Sequence, residues 1–433
     1  MRTIEVADVN VRKGGAPFRT YRVLKARSST GIECRSILVD FTKETLRDLL
    51  SLCPPLGCAS MKRFFAAIPE SYLSRPLIRS VPSHMLLNLR FYSNIINTNA
   101  DVVICHMEDI VCLRTALEIS RETGSKSVVI LHNPPFYKDI KRISNITGSF
   151  LLFHRLRMIS EYSLPDIIKF GYHTAVHHLI YNSSIRSLAK LITPSEFMLG
   201  GILREFDLIL SVSKSIPFEM GWEGRVVAMD PGIGFDEEEL GYIKSLRLKK
   251  PNESKIHAVF PARPVPEKGL ADLLIAIKII ARSRRDFKVA IFTSEKDRMG
   301  ALIARIAKKL KINDNLILVG YIPQRRDLLK FRASAKLSLY PGHVDAYPYA
   351  VAESLLLGTP VVAYDIPALK ISYGNLNGVY LAKEGDIEAL AQKTLEILDA
   401  KNIEVDEPRV KLFSEIAFEE KKILEKHLKI YNV

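Results

Sequence analysis

Glutamine, tryptophan and cysteine are scarce in this chain, and long apolar runs are missing. Gln324 and Gln392 are the only glutamines and there is one tryptophan, while lysine, arginine and isoleucine are plentiful. That bias leans towards proteins of hot habitats and says nothing about chemistry. The five cysteines, Cys34, Cys53, Cys58, Cys105 and Cys112, are odd in number and lack the paired spacing of a metal site. Buried thiols are therefore expected rather than a disulfide framework, with Cys53 and Cys58, which flank a Pro-Pro-Leu-Gly turn, as the pair to weigh for a bridge. No run of eighteen apolar residues occurs, which excludes a spanning helix, and the start MRTIEVADVNVRKGG lacks the apolar core of a signal peptide. A cytoplasmic protein is expected. The 433 residues, 47% of them hydrophobic, suffice for two or three domains with sizeable cores.

Charge narrows the partners. With 62 basic against 48 acidic residues the chain carries +14, which favours anionic ligands: nucleic acid, anionic lipid or a nucleotide-sugar. Nucleic acid is not expected, because a chain with one tryptophan has no aromatic platform motif and no zinc-finger spacing. Between Met61 and Phe91, Lys62, Arg63, Arg75, Arg79 and Arg90 stand against Glu70 alone, interleaved with Phe64, Phe65, Tyr72, Leu86, Leu87 and Phe91. Such a stretch either rests on an anionic membrane surface or is a packed helix with a solvated basic face. His173 and His177 lie four apart with His178 beside them, but no fourth ligand or general-base glutamate follows in zincin order. They read as structural, and no metal site is expected.

The stretch Leu337 to Lys370, LSLYPGHVDAYPYAVAESLLLGTPVVAYDIPALK, carries the most information. It opens as a short apolar strand, Leu337–Tyr340, breaks at Pro341-Gly342, and sets Asp345 and Glu353 apart with seven residues between them. From about Pro348 the residues Ala350, Val351, Leu355 and Leu356 recur at helical spacing, and Val361–Tyr364 reads as the next buried strand. A strand, a loop and a helix N-terminus at the strand's carboxyl end form an anion pocket, through backbone N–H groups and the helix dipole. A carboxylate one turn further in suits a polyol such as a ribose. The implied ligand is a nucleotide that carries a sugar.

Elsewhere the chain alternates strands and helices. Thr3–Val9 reads as a strand, Lys13-Gly14-Gly15-Ala16 as the turn after it, and Phe18–Lys25 as a helix. Asp101–His106 and Lys126–His132 are apolar runs that end in histidine, separated by the amphipathic segment Val111–Ile119, the pattern of a parallel βαβ unit. Residues at the carboxyl ends of such strands line a ligand crevice, so His132 and, less directly, His106 are candidates. The polar run from Asp236 to Ser254 reads as a connection between domains. Ile256–Pro261 then opens a second series. In it Arg263 and Lys268 flank a Pro-constrained loop at the strand's carboxyl end, where both can meet one diphosphate.

The spacing of Asp345 and Glu353, followed by Gly358-Thr359-Pro360-Val361-Val362-Ala363, resembles the signature of the retaining glycosyltransferases of family 4, which have the GT-B fold. In that family a glutamate stands where Asp345 is, and Gly-Phe-Gly where Ala346-Tyr347-Pro348 stands here. Arg263 with Glu267-Lys268-Gly269 resembles the family's Arg and Glu-Lys-Gly element, and His132 in Val-Ile-Leu-His-Asn-Pro-Pro resembles its histidine after a buried strand.

The resemblance implies an α/β GT-B architecture, two Rossmann-like domains facing an interdomain cleft. It suggests residues 1–240 as the acceptor-side domain, 241–254 as linker, 255–408 as the nucleotide-sugar domain and 409–433 as a helix returning to the first domain. It implies transfer of a sugar from a nucleotide-sugar to an acceptor hydroxyl, with retention at the anomeric carbon. The acceptor is expected to be a glycan, lipid-linked or protein-linked, in the cytoplasm or at an anionic membrane's inner face. Arg263 and Lys268 would stabilise the diphosphate, Asp345 and His132 contact the sugar, and Glu353 hold the ribose. Gly14 and Gly15 would approach the diphosphate, Tyr321 the base, and Tyr347, Pro348, Tyr349 and Ala350 would bind the donor at the helix start. No cofactor is expected, and no metal, since the protein itself supplies positive charge. The alternative from another class is a drifted GT-B protein that binds a nucleotide-sugar without catalysis.

Overall fold

Short apolar runs and amphipathic segments resolve into two parallel sheets in the computed structural model, which describes residues 1–58, 98–161, 195–248 and 256–429. The first sheet contains β1 (Arg2–Asp8), β2 (Glu33–Asp40), β3 (Pro55–Cys58), β4 (Val102–Cys105), β5 (Lys126–Leu131), β6 (Leu208–Ser211) and β7 (Val227–Ala228). Their order is β3-β2-β1-β4-β5-β6-β7, every neighbouring pair parallel. A short strand β8 (Gly234–Phe235) lies outside it. The second sheet contains β9 (Ala258–Phe260), β10 (Val289–Ile291), β11 (Leu316–Leu318), β12 (Leu337–Tyr340), β13 (Val361–Tyr364) and β14 (Val379–Ala382), in the order β11-β10-β9-β12-β13-β14 and again parallel. A last strand β15 (Lys411–Leu412) pairs with β8.

Both sheets are doubly wound. Strands such as β4 and β13 are buried along their whole length, as continuous apolar runs covered by helices on both faces must be. In each sheet the strand order reverses beside the first strand, between β1 and β4 and between β9 and β12. Ligands of such sheets bind outside the carboxyl ends of the strands at that reversal.

Two compact units contain these sheets: Met1–Phe136, Ser195–Asp236 and Val410–Val433 form one, Tyr137–Pro194 and Glu237–Arg409 the other. The division differs from the expected 1–240, 241–254 and 255–408. Helix Ile140–Glu161 belongs to the second unit because Ile146 and Phe150 bury against Tyr137 and Val344, and Ser149 Oγ donates to Asp272 Oδ2 at 2.7 Å. Much of the expected linker is helix Glu237–Leu248, whose first turn carries Glu237, Glu238 and Glu239, charges that suit the positive end of the helix dipole. Ile243 is buried there, and Arg247 Nη1 donates to the Leu355 carbonyl at 2.9 Å.

The closing helix Phe413–Leu428 is part of the first unit, and a buried charge network holds it there. Glu420 accepts from Arg19 Nη2 at 2.5 Å and from Arg27 Nη2 at 2.9 Å. Arg27 Nε also lies 3.0 Å from Glu5 Oε1, and His106 Nε2 lies 2.7 Å from Glu5 Oε2. Burial would raise the Glu5 carboxyl, yet Arg27 and His106 hold it below the ordinary range.

The thiols also depart from expectation. Cys53 is bonded to Cys34, with Cα atoms 4.7 Å apart, so it is not the partner of Cys58. The helix Lys43–Leu52 folds back on the first sheet and brings Cys53 beside Cys34 on β2. Cys105 and Cys112 are buried thiols. The basic residues Lys62, Arg63, Arg75, Arg79 and Arg90 and the His173, His177 and His178 group lie outside the described residues. No helix among the described residues is long and apolar enough to cross a membrane.

Candidate functional site

At the reversal point of the second sheet, two loops leave adjacent strands, one after Phe260 of β9 and one after Tyr340 of β12. The first turns sharply at Gly269, where φ is +74° and a Cβ would lie 1.8 Å from the Pro341 carbonyl oxygen. Only glycine allows this contact. The loops are then stitched together: the backbone N–H groups of His343 and Val344 both donate to the Glu267 carbonyl at 3.1 Å.

This stitching brings Lys268 and Asp345 into contact. Lys268 Nζ donates to Asp345 Oδ2 at 2.5 Å and to the Val344 carbonyl at 2.8 Å. Tyr340 Oη donates to the same carboxylate oxygen at 2.5 Å, and the Ala346 N–H reaches Oδ1 at 2.9 Å. The two side chains keep 18% and 16% of their surface, so the pair sits at the edge of solvent and not in the core. Arg263 is exposed on the same loop, and its guanidinium has no ion pair among the described residues. A partly exposed ammonium, an exposed guanidinium and an oriented carboxylate thus lie at the strand ends. They can hold a polyanion beside a hydroxyl-rich group. Among the described residues no group of three or more His, Cys, Asp or Glu side chains is placed to hold a metal ion.

Glu353 lies on helix Tyr349–Leu356 and is 1% exposed. Its carboxylate is taken by two guanidinium groups, Arg332 on Oε2 and Arg325 on Oε1. Arg325 also pairs with Glu239 at 2.7 Å. Burial, with Arg325 close by, pulls the Arg332 guanidinium down to about 9. In this structure Glu353, expected from the sequence to hold a ribose, ties its helix to helix Arg325–Ala333. Glu353→Gln should lower stability by about 2 kcal/mol, the scale of a hydrogen bond to a charged group, since Arg332 loses its counter-charge. A urea midpoint equal to wild type would refute the anchoring role.

The remaining candidates divide. Tyr321 is 81% exposed after Gly320, whose φ is +85°. Tyr347 is buried, with its ring against Tyr373 at 5.4 Å and its hydroxyl donating to the Arg409 carbonyl at 3.3 Å, so it packs the helix start rather than presenting itself to a ligand. Pro348 is buried, Tyr349 and Ala350 half-buried, and the Ala350 carbonyl accepts from Arg332. In the first unit Gly14, with φ +140°, precedes the helix that Gly15 starts. His132 follows β5, buried, its Nε2 3.4 Å from Thr20 Oγ1. Burial, then Arg19 and His106, hold it well below the ordinary histidine value, so it is neutral. The loop beyond is fixed by Glu108, whose carboxylate accepts the N–H groups of His132 and Asn133, and which burial raises.

Tyr340, His343, Glu384, Asp272, Arg325, Arg332 and Glu108 were not singled out from sequence. Of these, His343 had a signal, standing two residues before Asp345 in the Pro-Gly-His-Val-Asp turn.

Residues 244–411 match the family model described as glycosyl transferases group 1. Over 188 residues, 42% of this chain and 47% of the relative, the sequence is 26% identical to a 2-deoxystreptamine glucosyltransferase of Streptomyces kanamyceticus. Over 200 residues, 42% of this chain and 46% of the relative, it is 24% identical to the amylovoran biosynthesis glycosyltransferase AmsK of Erwinia amylovora. The chain spans just under half the length of these curated relatives. Solved structures resemble it over nearly the whole chain. Anabaena HepE in complex with UDP-glucose superposes with a TM-score of 0.59 at 13% identity, covering 99% of this chain and 95% of that one. Sucrose-phosphate synthase from Thermosynechococcus elongatus gives 0.59 at 11%, covering 99% of each. The architecture is the GT-B fold, with two Rossmann-like halves.

Proposed function

With a glycosyl transferases group 1 domain over residues 244–411 of a GT-B fold as the premise, we propose that this protein moves a sugar from a nucleotide-sugar to an acceptor hydroxyl, with retention at the anomeric carbon. The observation that carries the reading is the contact of Lys268 with Asp345 at the reversal point of the second sheet, with the exposed Arg263 on the same loop as Lys268. The bond from anomeric carbon to phosphate oxygen breaks, and negative charge grows on the departing diphosphate. Lys268, Arg263 and the helix start at Pro348–Ala350 are assigned to that charge, which preorganised donors stabilise most as the transition state forms. The acceptor oxygen bonds to the anomeric carbon from the same face, and its proton passes to the departing phosphate oxygen.

Asp345 is assigned to the hydroxyls of the transferred sugar, and so is His132, whose neutral ring can accept or donate one hydrogen bond. Glu353 is assigned to the ribose, with Arg325, 37% exposed, as the partner that a ribose hydroxyl displaces while Arg332 stays. Tyr321 is assigned to the base, and Gly14 and Gly15 to close backbone approach at the diphosphate. The acceptor belongs to the class of glycan hydroxyls on a lipid or protein, met in the cytoplasm or at the inner face of a membrane. HepE bound to UDP-glucose makes uridine donors the first to try.

A second reading has one observation in its favour: both Asp345 oxygens are already engaged, as in a protein that binds a donor and does not turn it over. Incubation with a panel of nucleotide-sugars and a mixed-glycan acceptor pool, scored by nucleotide release, separates the two. Release is expected for at least one donor, and binding without release would support the second reading. Saturating EDTA should leave turnover largely intact, since cationic side chains do the work that a metal otherwise does. Full loss on chelation, restored by Mg²⁺ or Mn²⁺, would overturn that expectation.

A further inference from the structure

One imidazole sits under the loops that carry Lys268 and Asp345. His343 is buried, its Nε2 3.2 Å from Asp272 Oδ1 and its Nδ1 2.9 Å from Glu384 Oε1. Each ring nitrogen therefore faces a carboxylate. A neutral imidazole has one N–H and one lone pair, so it would turn a lone pair on one of them; only the imidazolium donates to both.

The surroundings are charge-balanced on that condition. From helix Ile140–Glu161, Arg142 pairs with Glu384 and donates through Nη2 to the His343 carbonyl at 2.7 Å, and Asn145 donates to Glu384 Oε2 at 2.8 Å. From the same helix Ser149 donates to Asp272 Oδ2 at 2.7 Å, and from β13 Tyr364 donates to Asp272 Oδ1 at 3.0 Å. Among the described residues, the two cations Arg142 and His343 thus meet the two carboxylates Asp272 and Glu384.

We propose that His343 is a positioning residue: as an imidazolium bonded on both ring nitrogens, it fixes segment 341–345, so that the Val344 carbonyl and the Asp345 carboxylate hold the Lys268 ammonium in place. That this place is where a leaving diphosphate gathers charge rests on the transferase reading; the loop-locking does not. Burial alone would lower the imidazole, but the bonds to Asp272 and Glu384 overcome it and raise the ring to about 9 from an ordinary 6.5. Because the folded value lies above the unfolded one, the stabilisation is complete below pH 6.5 and is lost as the pH rises through about 9. The loop should loosen in that window.

The test follows Lys268 itself. Pulse labelling of the full chain with an amine-reactive anhydride, read by peptide mass spectrometry, gives the rate at Lys268 relative to Lys308, which is exposed on helix Arg298–Leu310. In wild type the ratio should step upward near pH 9. In His343→Asn it should be several-fold higher at neutral pH and show no step. With a donor that wild type uses, the same variant should lose kcat on the order of 10²-fold, the scale of a misplaced catalytic group, with the donor KM little changed. An unchanged ratio in His343→Asn, or a flat wild-type ratio across pH 9, overturns the proposal. If His343→Asn fails to fold by circular dichroism, the wild-type step alone decides. A step in a protein that turns over no donor would sink the transferase reading and leave the locking role intact.

Discussion

Glu420→Ala is expected to cost about 3–5 kcal/mol of stability, as breaking a buried ion pair from one side does, and to free the closing helix from the first unit. Arg19, Arg27 and Glu420 have no exposed side-chain surface, so neither arginine can turn to water when the carboxylate goes. Arg27 would keep Glu5, whereas Arg19 would be left with the Gly232 carbonyl and the Met229 sulfur, neither of which carries a counter-charge. Urea unfolding followed by circular dichroism measures the loss. The double change Arg19→Met, Glu420→Met should recover much of it, because Arg27 keeps its partner Glu5 while the apolar replacements avoid the desolvation that the ions must overcome. A Glu420→Ala midpoint within about 1 kcal/mol of wild type, the range of exposed ion pairs, would show that the network contributes no more than a surface bridge.

That network also shows what the sequence could and could not reveal. The amphipathic period of the last helix was readable, but Glu420 looks like any acidic residue on a helix of mixed charge. Its importance comes from Arg19 and Arg27, about four hundred positions away along the chain. Elements with a strong apolar pattern were legible to the residue: the strands Leu337–Tyr340 and Val361–Tyr364 have the expected bounds. Helix Ile140–Glu161 was not, because Arg142 and Ser149 are among the residues it buries, and their polarity hides the apolar stripe. Their partners Glu384 and Asp272 make that burial tolerable, and no local pattern announces them.

The same limit applies at the candidate site. Lys268 and Asp345 were each identified from their loops and given separate tasks; that they touch depends on Gly269 lying against Pro341. Arg332 reads as a surface residue on a helix rich in charge, yet it is buried and paired with Glu353. The bridge of Cys53 to Cys34 is likewise tertiary, since it forms across a folded-back helix and not across a turn.

Lys268→Met is expected to reduce kcat by about 10²–10³-fold, or roughly 2.7–4 kcal/mol, the scale on which a lost oxyanion donor is felt. The substitution keeps the length and apolar stem of the side chain and removes the ammonium. Asp345 would retain the Tyr340 hydroxyl and the Ala346 N–H, so the loop should survive and circular dichroism should not change. Lys268→Arg tests geometry rather than charge: a planar fork cannot reach both the Val344 carbonyl and Asp345 as a compact ammonium does, and only part of the rate should return. Asp345→Asn provides the contrast. If Lys268 served only to hold the carboxylate, the two variants would fail alike, with donor binding and turnover reduced together. If the ammonium meets the growing charge of the leaving group, Lys268→Met should lose kcat with the donor KM nearly unchanged, a split that marks an interaction made in the transition state. Wild-type turnover by Lys268→Met, with a donor that the unmodified protein demonstrably uses, would remove Lys268 from the chemistry.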